Sequence, residues 1–173
     1  MNRYKPHRLN PYLAGAIGGT LATAPMTVAM ELLFRRLPPS QQYPLPPREL
    51  TMAIANRTGF APMMPSERAR VGATLAAHFG YGLFAGALYP LTFFRRQPRH
   101  PLLHGSFYGI VVWALSYLGW VPALKILKPA NQHPRQRRWL MIVVHLLWGA
   151  VTAGVTLALS NNGGQDSGRS KSH

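Results

Sequence analysis

Four long stretches that are almost free of ionised side chains constrain this chain more than any other feature. They cover residues 12–34, 71–94, 101–124 and 139–159, and among them only the first holds an acidic residue, Glu31. A helix of about 20 residues crosses the ~30 Å hydrocarbon core of a bilayer. No face of these stretches carries a row of charges that would suit water. The sequence therefore predicts an all-α bundle of four transmembrane helices, here called spans one to four.

The basic residues lie between these stretches. The chain has 19 Lys and Arg against 4 Asp and Glu, a formal charge of +15, and the basic residues fall in blocks at 3–8, 35–70, 95–99, 125–138 and 169–171. A basic residue near a bilayer surface gains about 1 kcal/mol from anionic lipid. We therefore expect the bilayer and its anionic lipids as partners and no nucleic acid. Both sides of the bundle carry basic residues, so the charges leave the orientation open.

The long segment after span one contains a helical stretch between proline clusters. Leu50, Ala53 and Ile54 share one face of that stretch, and Arg48 and Arg57 lie near its ends. This pattern favours a short interfacial helix at the level of the headgroups, with an irregular loop as the alternative.

The segments at the chain ends differ from the membrane domain, residues 12–159. Residues 1–11 form a basic N-terminal segment, and residues 160–173 are polar and rich in glycine and serine. Such a composition cannot bury enough apolar surface to fold alone, which predicts a disordered C-terminal tail. Ser66 followed by Glu67 resembles a helix N-cap with an acidic first turn, so the second helix should begin before the hydrocarbon.

Small residues recur at four-residue spacing in every span. The pairs are Gly15 with Gly19, Gly82 with Gly86, Gly105 with Gly109, and Gly149 with Ala153. This spacing lets helix backbones approach closely in lipid. It favours packing within the bundle, and homodimerisation through one of these faces is the alternative.

Four residues that can ionise lie inside the spans: Glu31, His78, His104 and His145. Ionisable groups in lipid are costly, so each is a functional hypothesis. Counting along the antiparallel spans puts Glu31, His78 and His145 within about 12 Å of the same side, and His104 near the opposite side. The first three are therefore predicted to be able to meet, and His104 is not.

Several chemistries suit Glu31, His78 and His145. Two imidazoles and a carboxylate can bind zinc or non-haem iron, and two facing histidines can ligate haem. The same groups can relay protons. The simplest alternative is that each histidine is neutral and joins neighbouring helices by hydrogen bonds.

Each histidine of spans two to four is followed by an aromatic residue and a glycine about one turn later. The segments are His78–Gly82, His104–Gly109 and His145–Gly149, which predicts that histidine and aromatic residue share a helix face. Other aromatic residues, Trp113 and Tyr117 among them, are expected at the membrane interfaces.

Five segments resemble a family of small bacterial inner-membrane proteins, the YagU-like group: APMTVAMELLFRRLP, YPLPPREL, LAAHFGYGLFAGALYP, VVWALSYLGWVPAL and LMIVVHLLWGA. The resemblance covers residues 12–155. It implies a four-helix protein of the bacterial inner membrane and brings no established activity. The motif residues it implies are Glu31, Pro46, Pro47, His78, Tyr81, Gly82, Trp113, Tyr117, Pro122, His145, Trp148 and Gly149.

Three functions follow as hypotheses. The sequence has no phosphate-binding loop, nucleophile elbow or HExxH motif, and it has no cysteine. This favours a non-enzymatic structural or partner-binding membrane module, whose partner would be another protein or a second copy of the chain. One alternative is a small proton-coupled transporter or conduit that uses Glu31, His78 and His145. The other is a metal- or haem-dependent membrane oxidoreductase.

Overall fold

The computed structural model describes residues 9–93 and 98–161, and these residues form helices and connecting turns without a β-strand. Within this part of the chain, four helices are long and apolar enough to cross a membrane: Pro11–Phe34, Glu67–Thr92, Pro101–Ala123 and Arg135–Ser160. The predicted all-α, four-helix fold is confirmed, and it is consistent with an integral, multi-pass membrane protein. Residues 1–8 and 162–173, which include most of the predicted tail, lie outside the described residues, as does Phe94 at the predicted end of span two.

The helices in chain order are α1 (Pro11–Phe34), α2 (Pro46–Thr58), α3 (Glu67–Leu88), α4 (Pro101–Ala114), α5 (Val121–Ala123) and α6 (Arg135–Asn161). A 3-10 turn, Tyr89–Thr92, extends α3, and a π-helical segment, Leu115–Trp120, joins α4 to α5. Further 3-10 turns lie at Pro39–Gln41, Ala61–Met63 and Ala130–Gln132. The short helix predicted after span one is thus present as α2.

Local sequence explains where these helices begin and end. The Asn10 side chain accepts a hydrogen bond from the Tyr12 amide at 2.9 Å, and the Ser66 hydroxyl accepts one from the Ala69 amide at 3.2 Å. Both are N-caps that satisfy an otherwise unpaired amide. α2 ends at Gly59, whose φ of 77° is the left-handed conformation that glycine adopts without strain.

Small residues make up most of the buried face of α1, and large apolar side chains lie on its outer face. α1 buries small residues such as Ala14, Gly18 and Ala22, whereas Leu21 and Val28 on its outer face are 55% and 59% exposed. In lipid, large apolar side chains gain nothing by leaving the surface, and small residues let helices approach. The packing therefore supports the membrane assignment independently of hydropathy.

The four long helices are arranged in the spatial order α3, α1, α6, α4. α1 packs against α3 and α6, and α6 packs against α4. α3 and α4, at the two ends of this row, are joined through side chains. The Tyr108 hydroxyl donates to the Ala85 carbonyl at 2.6 Å, and Tyr81 and Ser116 share a 2.7 Å hydrogen bond. The wider separation of α3 and α4 leaves space between them inside the bundle.

Glycine seams hold α1 to α3 and α4 to α6. On the α1–α3 seam, a Cβ atom at Gly19 would overlap the carbonyl oxygen of Gly82 and lie 2.7 Å from Cα of Gly86. On the α4–α6 seam, a Cβ at Gly149 would overlap the Gly105 carbonyl in the same way. Close packing within one chain therefore accounts for the small residues at four-residue spacing.

The third membrane helix is irregular near its end. Gly119 in the π-helical segment has φ −102° and ψ −107°, outside the helical region. Pro122 has no amide hydrogen to offer the carbonyl four residues earlier, so a regular helix cannot continue through this point. π-helical insertions of this kind are frequent at functional sites.

Candidate functional site

A cavity of about 250 Å³ lies inside the bundle, between α1, α3, α6 and the π-helical segment. α2 covers it with Pro47, Leu50, Thr51 and Ile54. Most of the wall is apolar, and the polar groups come mainly from α3, the π-helical segment and α6. This is the usual composition of a small-molecule site, in which a few polar groups fix the ligand in an apolar pocket.

The structure brings together two of the three residues predicted to meet, because His78 on α3 and His145 on α6 both line this cavity. His145 is 5% exposed, and its Nδ1 lies 2.7 Å from the carbonyl oxygen of Met141. A carbonyl can only accept, so Nδ1 carries the proton of the neutral ring and Nε2 keeps a lone pair. The ring edge of His145 also packs against Tyr117, with 6.0 Å between the ring centroids.

His78 presents a nitrogen without a partner. Its Nε2 is buried and makes no hydrogen bond with any group in residues 9–93 and 98–161. Leaving a buried polar group unsatisfied costs about 1–3 kcal/mol. His78 is thus a polar residue of the cavity wall whose Nε2 is not satisfied by the described part of the protein.

A chain of hydroxyl groups crosses the cavity wall between α3 and the π-helical segment. The Ser116 hydroxyl donates to the Val112 carbonyl at 2.7 Å, so it must accept the 2.7 Å bond from Tyr81. The rings of Tyr81 and Trp120 lie beside each other, with centroids 6.4 Å apart. Consecutive residues Ser116 and Tyr117 both line the cavity, which the wider π-helical turn permits.

A second polar contact lies at the inner end of the cavity, on α1 and α6. The Trp148 indole donates to the Gly19 carbonyl at 3.1 Å and lies 3.3 Å from the Thr23 hydroxyl oxygen. The Thr23 hydroxyl in turn donates to the Gly19 carbonyl at 2.8 Å. His145 and Trp148 thus share a face of α6, as do His78 and Tyr81 on α3, which confirms the spacing argument for these two pairs.

Arg137 fixes the chain that leads into α2. Its side chain is 4% exposed and donates to the carbonyl oxygens of Gln41, Tyr43 and Pro44, each at 2.8 Å. The guanidinium carbon also lies 3.5 Å from the centroid of the Tyr43 ring. A buried arginine is satisfied here by carbonyls and an aromatic face, and it ties the start of α6 to the segment before α2.

Two more arginines fix α2 itself. Arg48 donates to the Glu67 carboxylate at 2.8 Å, and this hydrogen bond raises the pKa of the Arg48 guanidinium. Arg57 donates to the Leu124 carbonyl at 2.7 Å and to the carbonyl of Lys125. The arginines expected at the headgroups thus also attach α2 to α3 and to the end of α5.

Glu31 does not join the two histidines. Its carboxylate is paired with Arg35 at 2.9 Å, and the Glu31 side chain is 50% exposed. It borders a separate groove with Val71, which precedes His78 by seven residues, or about 10 Å along α3. His104 lies elsewhere, with Nδ1 3.1 Å from the Tyr89 hydroxyl, as its depth predicted.

The cavity does not suit the metal ion or the haem considered from sequence. Within residues 9–93 and 98–161 there is no cluster of three or more His, Cys, Asp or Glu side chains that could hold a metal ion, so the two imidazoles would be its only such ligands. The cavity, at about 250 Å³, is also smaller than the ~300–1,000 Å³ of pockets for drug-sized ligands. Haem exceeds such ligands in size, so it does not fit in this conformation.

No family model, curated protein or solved structure matches this chain. The geometry of the cavity is therefore the basis on which a function can be assigned.

Sequence reasoning placed two aromatic residues wrongly. Trp113 is 8% exposed, and Tyr117 lies in the cavity wall, although both were expected at the membrane interfaces. It also missed Ser116 and the cavity-facing side of α2. The three-residue spacing from His78 to Tyr81 and from His145 to Trp148 was the signal that could have located the site.

Proposed function

We propose that this chain is a non-enzymatic module of the bacterial inner membrane that binds a small, lipid-soluble molecule in the cavity of its helix bundle. The observation that carries the proposal is a mostly apolar cavity whose wall holds two imidazoles, those of His78 and His145. Nδ1 of His145 donates to Met141, which leaves a lone pair on Nε2 for a polar group of a ligand.

The surroundings of the cavity support entry from the lipid. Ile54, Tyr81 and Trp120 line it and are 40%, 37% and 37% exposed. These three residues, which we call the portal, come from α2, α3 and the π-helical segment. A ligand dissolved in the bilayer can reach the cavity through the portal without crossing water.

The assignment to the bacterial inner membrane is part of the proposal. It rests on the resemblance of residues 12–155 to the YagU-like group. The basic segments at the span ends are compatible with anionic lipids on that membrane's surfaces.

Mass spectrometry of the purified protein tests the proposal. The full chain would be purified from membranes in detergent, extracted with organic solvent, and its small molecules compared with those of Leu50→Trp, which fills the cavity from α2. Leu83→Trp is the matched control, because Leu83 is 49% exposed on the lipid-facing side of α3. We expect the native protein and Leu83→Trp to carry a compound that Leu50→Trp loses.

The opposite result is equally clear. If all three proteins, shown to be folded by circular dichroism, carry the same compounds at the same ratio to protein, the cavity is not the binding site.

A further inference from the structure

The hydrogen-bond direction of the groups that line the cavity is fixed at most positions. The Nδ1 proton of His145 is donated to Met141, so Nε2 can only accept while the ring is neutral. An ammonium, hydroxyl or amide proton from a ligand would satisfy Nε2, whereas a ketone or ether oxygen would not.

The hydroxyl groups in the wall have likewise donated their protons to the protein. The proton of Tyr81 goes to Ser116, and that of Ser116 goes to Val112. The Thr51 hydroxyl donates to the Pro47 carbonyl at 2.7 Å. Each of these hydroxyl oxygens can therefore accept a hydrogen bond from a ligand but has no free proton to donate to it.

The polar groups at the inner end of the cavity also donate their protons within the protein. The Thr23 hydroxyl and the Trp148 indole both direct their protons at the Gly19 carbonyl. The protons of His78 and Tyr117 are not fixed by a hydrogen bond within the described residues. Either residue can therefore donate to an oxygen that has itself donated to His145.

From this we infer that the ligand carries a hydroxyl group on an aromatic ring, as in a phenol or a hydroquinone headgroup, and donates its proton to Nε2 of His145. The inference rests on the proposed function and specifies its ligand. A hydroxyl is suited to the site because it donates once and can still accept from His78 or Tyr117. A quinone, ketone or ether can only accept.

The shape and charge of the cavity favour an aromatic ring. Tyr81, Tyr117, Trp120 and Trp148 all contribute to its wall, and edge-to-face contacts between rings stabilise a bound ring beyond the burial of its area. The cavity volume of about 250 Å³ is the volume that roughly eight water molecules occupy in the liquid, and it is enough for one substituted aromatic ring. No Asp or Glu lines the cavity within the described residues, which favours a neutral donor over a cation.

A matched pair of probes tests this inference directly. 4-Propylphenol and 4-propylanisole have the same ring and chain, but the methyl ether has no proton to donate. Binding to the full chain in detergent micelles would be measured by the fluorescence of the cavity tryptophans. A hydrogen bond of ordinary strength corresponds to about tenfold in affinity, so we expect the phenol to bind about tenfold more tightly.

A variant assigns the preference to His145. His145→Leu keeps an apolar side chain of similar bulk and removes the acceptor, so the phenol and the ether should then bind equally. His104→Leu is the control, because His104 lies at the other end of the bundle beside Tyr89, and it should retain the preference. A preference that came only from how the two probes partition into the micelle would persist in His145→Leu, so its loss there assigns it to the site.

Each outcome is decisive. If both probes bind the native protein equally, the donor inference is wrong and the proposed function stands. If neither probe displaces the compound that copurifies with the protein, the inference is wrong and the copurified compound remains as separate evidence on function. If His145→Leu fails to fold, as judged by circular dichroism and gel filtration, the ratio measured for the native protein still decides.

Discussion

The indole nitrogen of Trp148 donates to the carbonyl oxygen of Gly19 across 3.1 Å, joining α6 to α1 at the inner end of the cavity. The opposite face of Gly19 lies against α3, where a Cβ atom would lie 2.7 Å from Cα of Gly86. One residue of α1 therefore contacts two neighbouring helices, one through its carbonyl and the other because it has no side chain. The position of α1 fixes the distance between α3 and α6, and with it the distance across the cavity between His78 and His145.

Trp148→Phe should lower the free energy of unfolding by about 1–3 kcal/mol, because the smaller ring loses the donor and leaves a cavity at a side chain that is 3% exposed. The substitution removes the donor to Gly19, but the Gly19 carbonyl keeps its bond from Thr23, so it is not left unsatisfied. Thermal unfolding in detergent, followed by circular dichroism, measures the change. Trp139→Phe is the control, because Trp139 is 52% exposed. An equal loss in both variants would mean that the bond to Gly19 contributes nothing.

Gly19→Ala should destabilise the bundle by about 1–3 kcal/mol. The new methyl group would overlap the Gly82 carbonyl, and backbone atoms cannot move aside as a flexible side chain can. Gly80→Ala is the matched control on α3, since a Cβ atom there meets nothing within 4 Å. The control should be unchanged or slightly more stable, because alanine favours helix. The same thermal unfolding assay tests both variants. An equal change in stability would contradict the close packing of α1 against α3 at Gly19.

The number and positions of the membrane helices could be predicted because lipid imposes a simple rule. A chain in hydrocarbon must satisfy its backbone internally and carry few charges, so charge-free stretches of sufficient length identify the helices. The cap at Ser66 followed from an equally local rule. Both features depend on residues that are neighbours in sequence.

The composition of the site could not be predicted to the same extent, because depth in the membrane does not determine which way a helix face points. Glu31 borders a groove with Val71, about 10 Å along α3 from His78, and its side chain points outward to Arg35. Tyr117 was expected at an interface, but the π-helical segment turns it toward His145. The rotation of each helix depends on packing between distant segments, and the π-helical segment depends on the combination of Gly119 and Pro122.

Arg137→Lys should lower the free energy of unfolding by about 3 kcal/mol or more and loosen the attachment of α2. A lysine keeps the charge, but it lacks the planar guanidinium whose N–H groups reach the carbonyls of Gln41, Tyr43 and Pro44 together. Hydrogen bonds from charged groups contribute about 1.5–3 kcal/mol each, and lysine can retain one of them. Hydrogen exchange of the α2 amides should rise in this variant. Arg135→Lys, at an exposed position of the same helix, should leave the exchange unchanged.

Glu31→Gln distinguishes a closed binding cavity from a proton path that includes this carboxylate. In the structure Glu31 forms an exposed ion pair with Arg35, whose side chain is 71% exposed, and such pairs contribute about 0–1 kcal/mol. We therefore expect Glu31→Gln to change thermal stability by less than about 0.5 kcal/mol and to leave the affinity for 4-propylphenol within twofold of the native value. His78→Leu, which alters the cavity wall itself, should change that affinity severalfold.

The same proteins in liposomes would be assayed for proton flux under a pH gradient. A flux that the native protein supports and Glu31→Gln abolishes would show that the carboxylate acts together with the histidines despite its place outside the cavity, and the conduit would then replace the binding module.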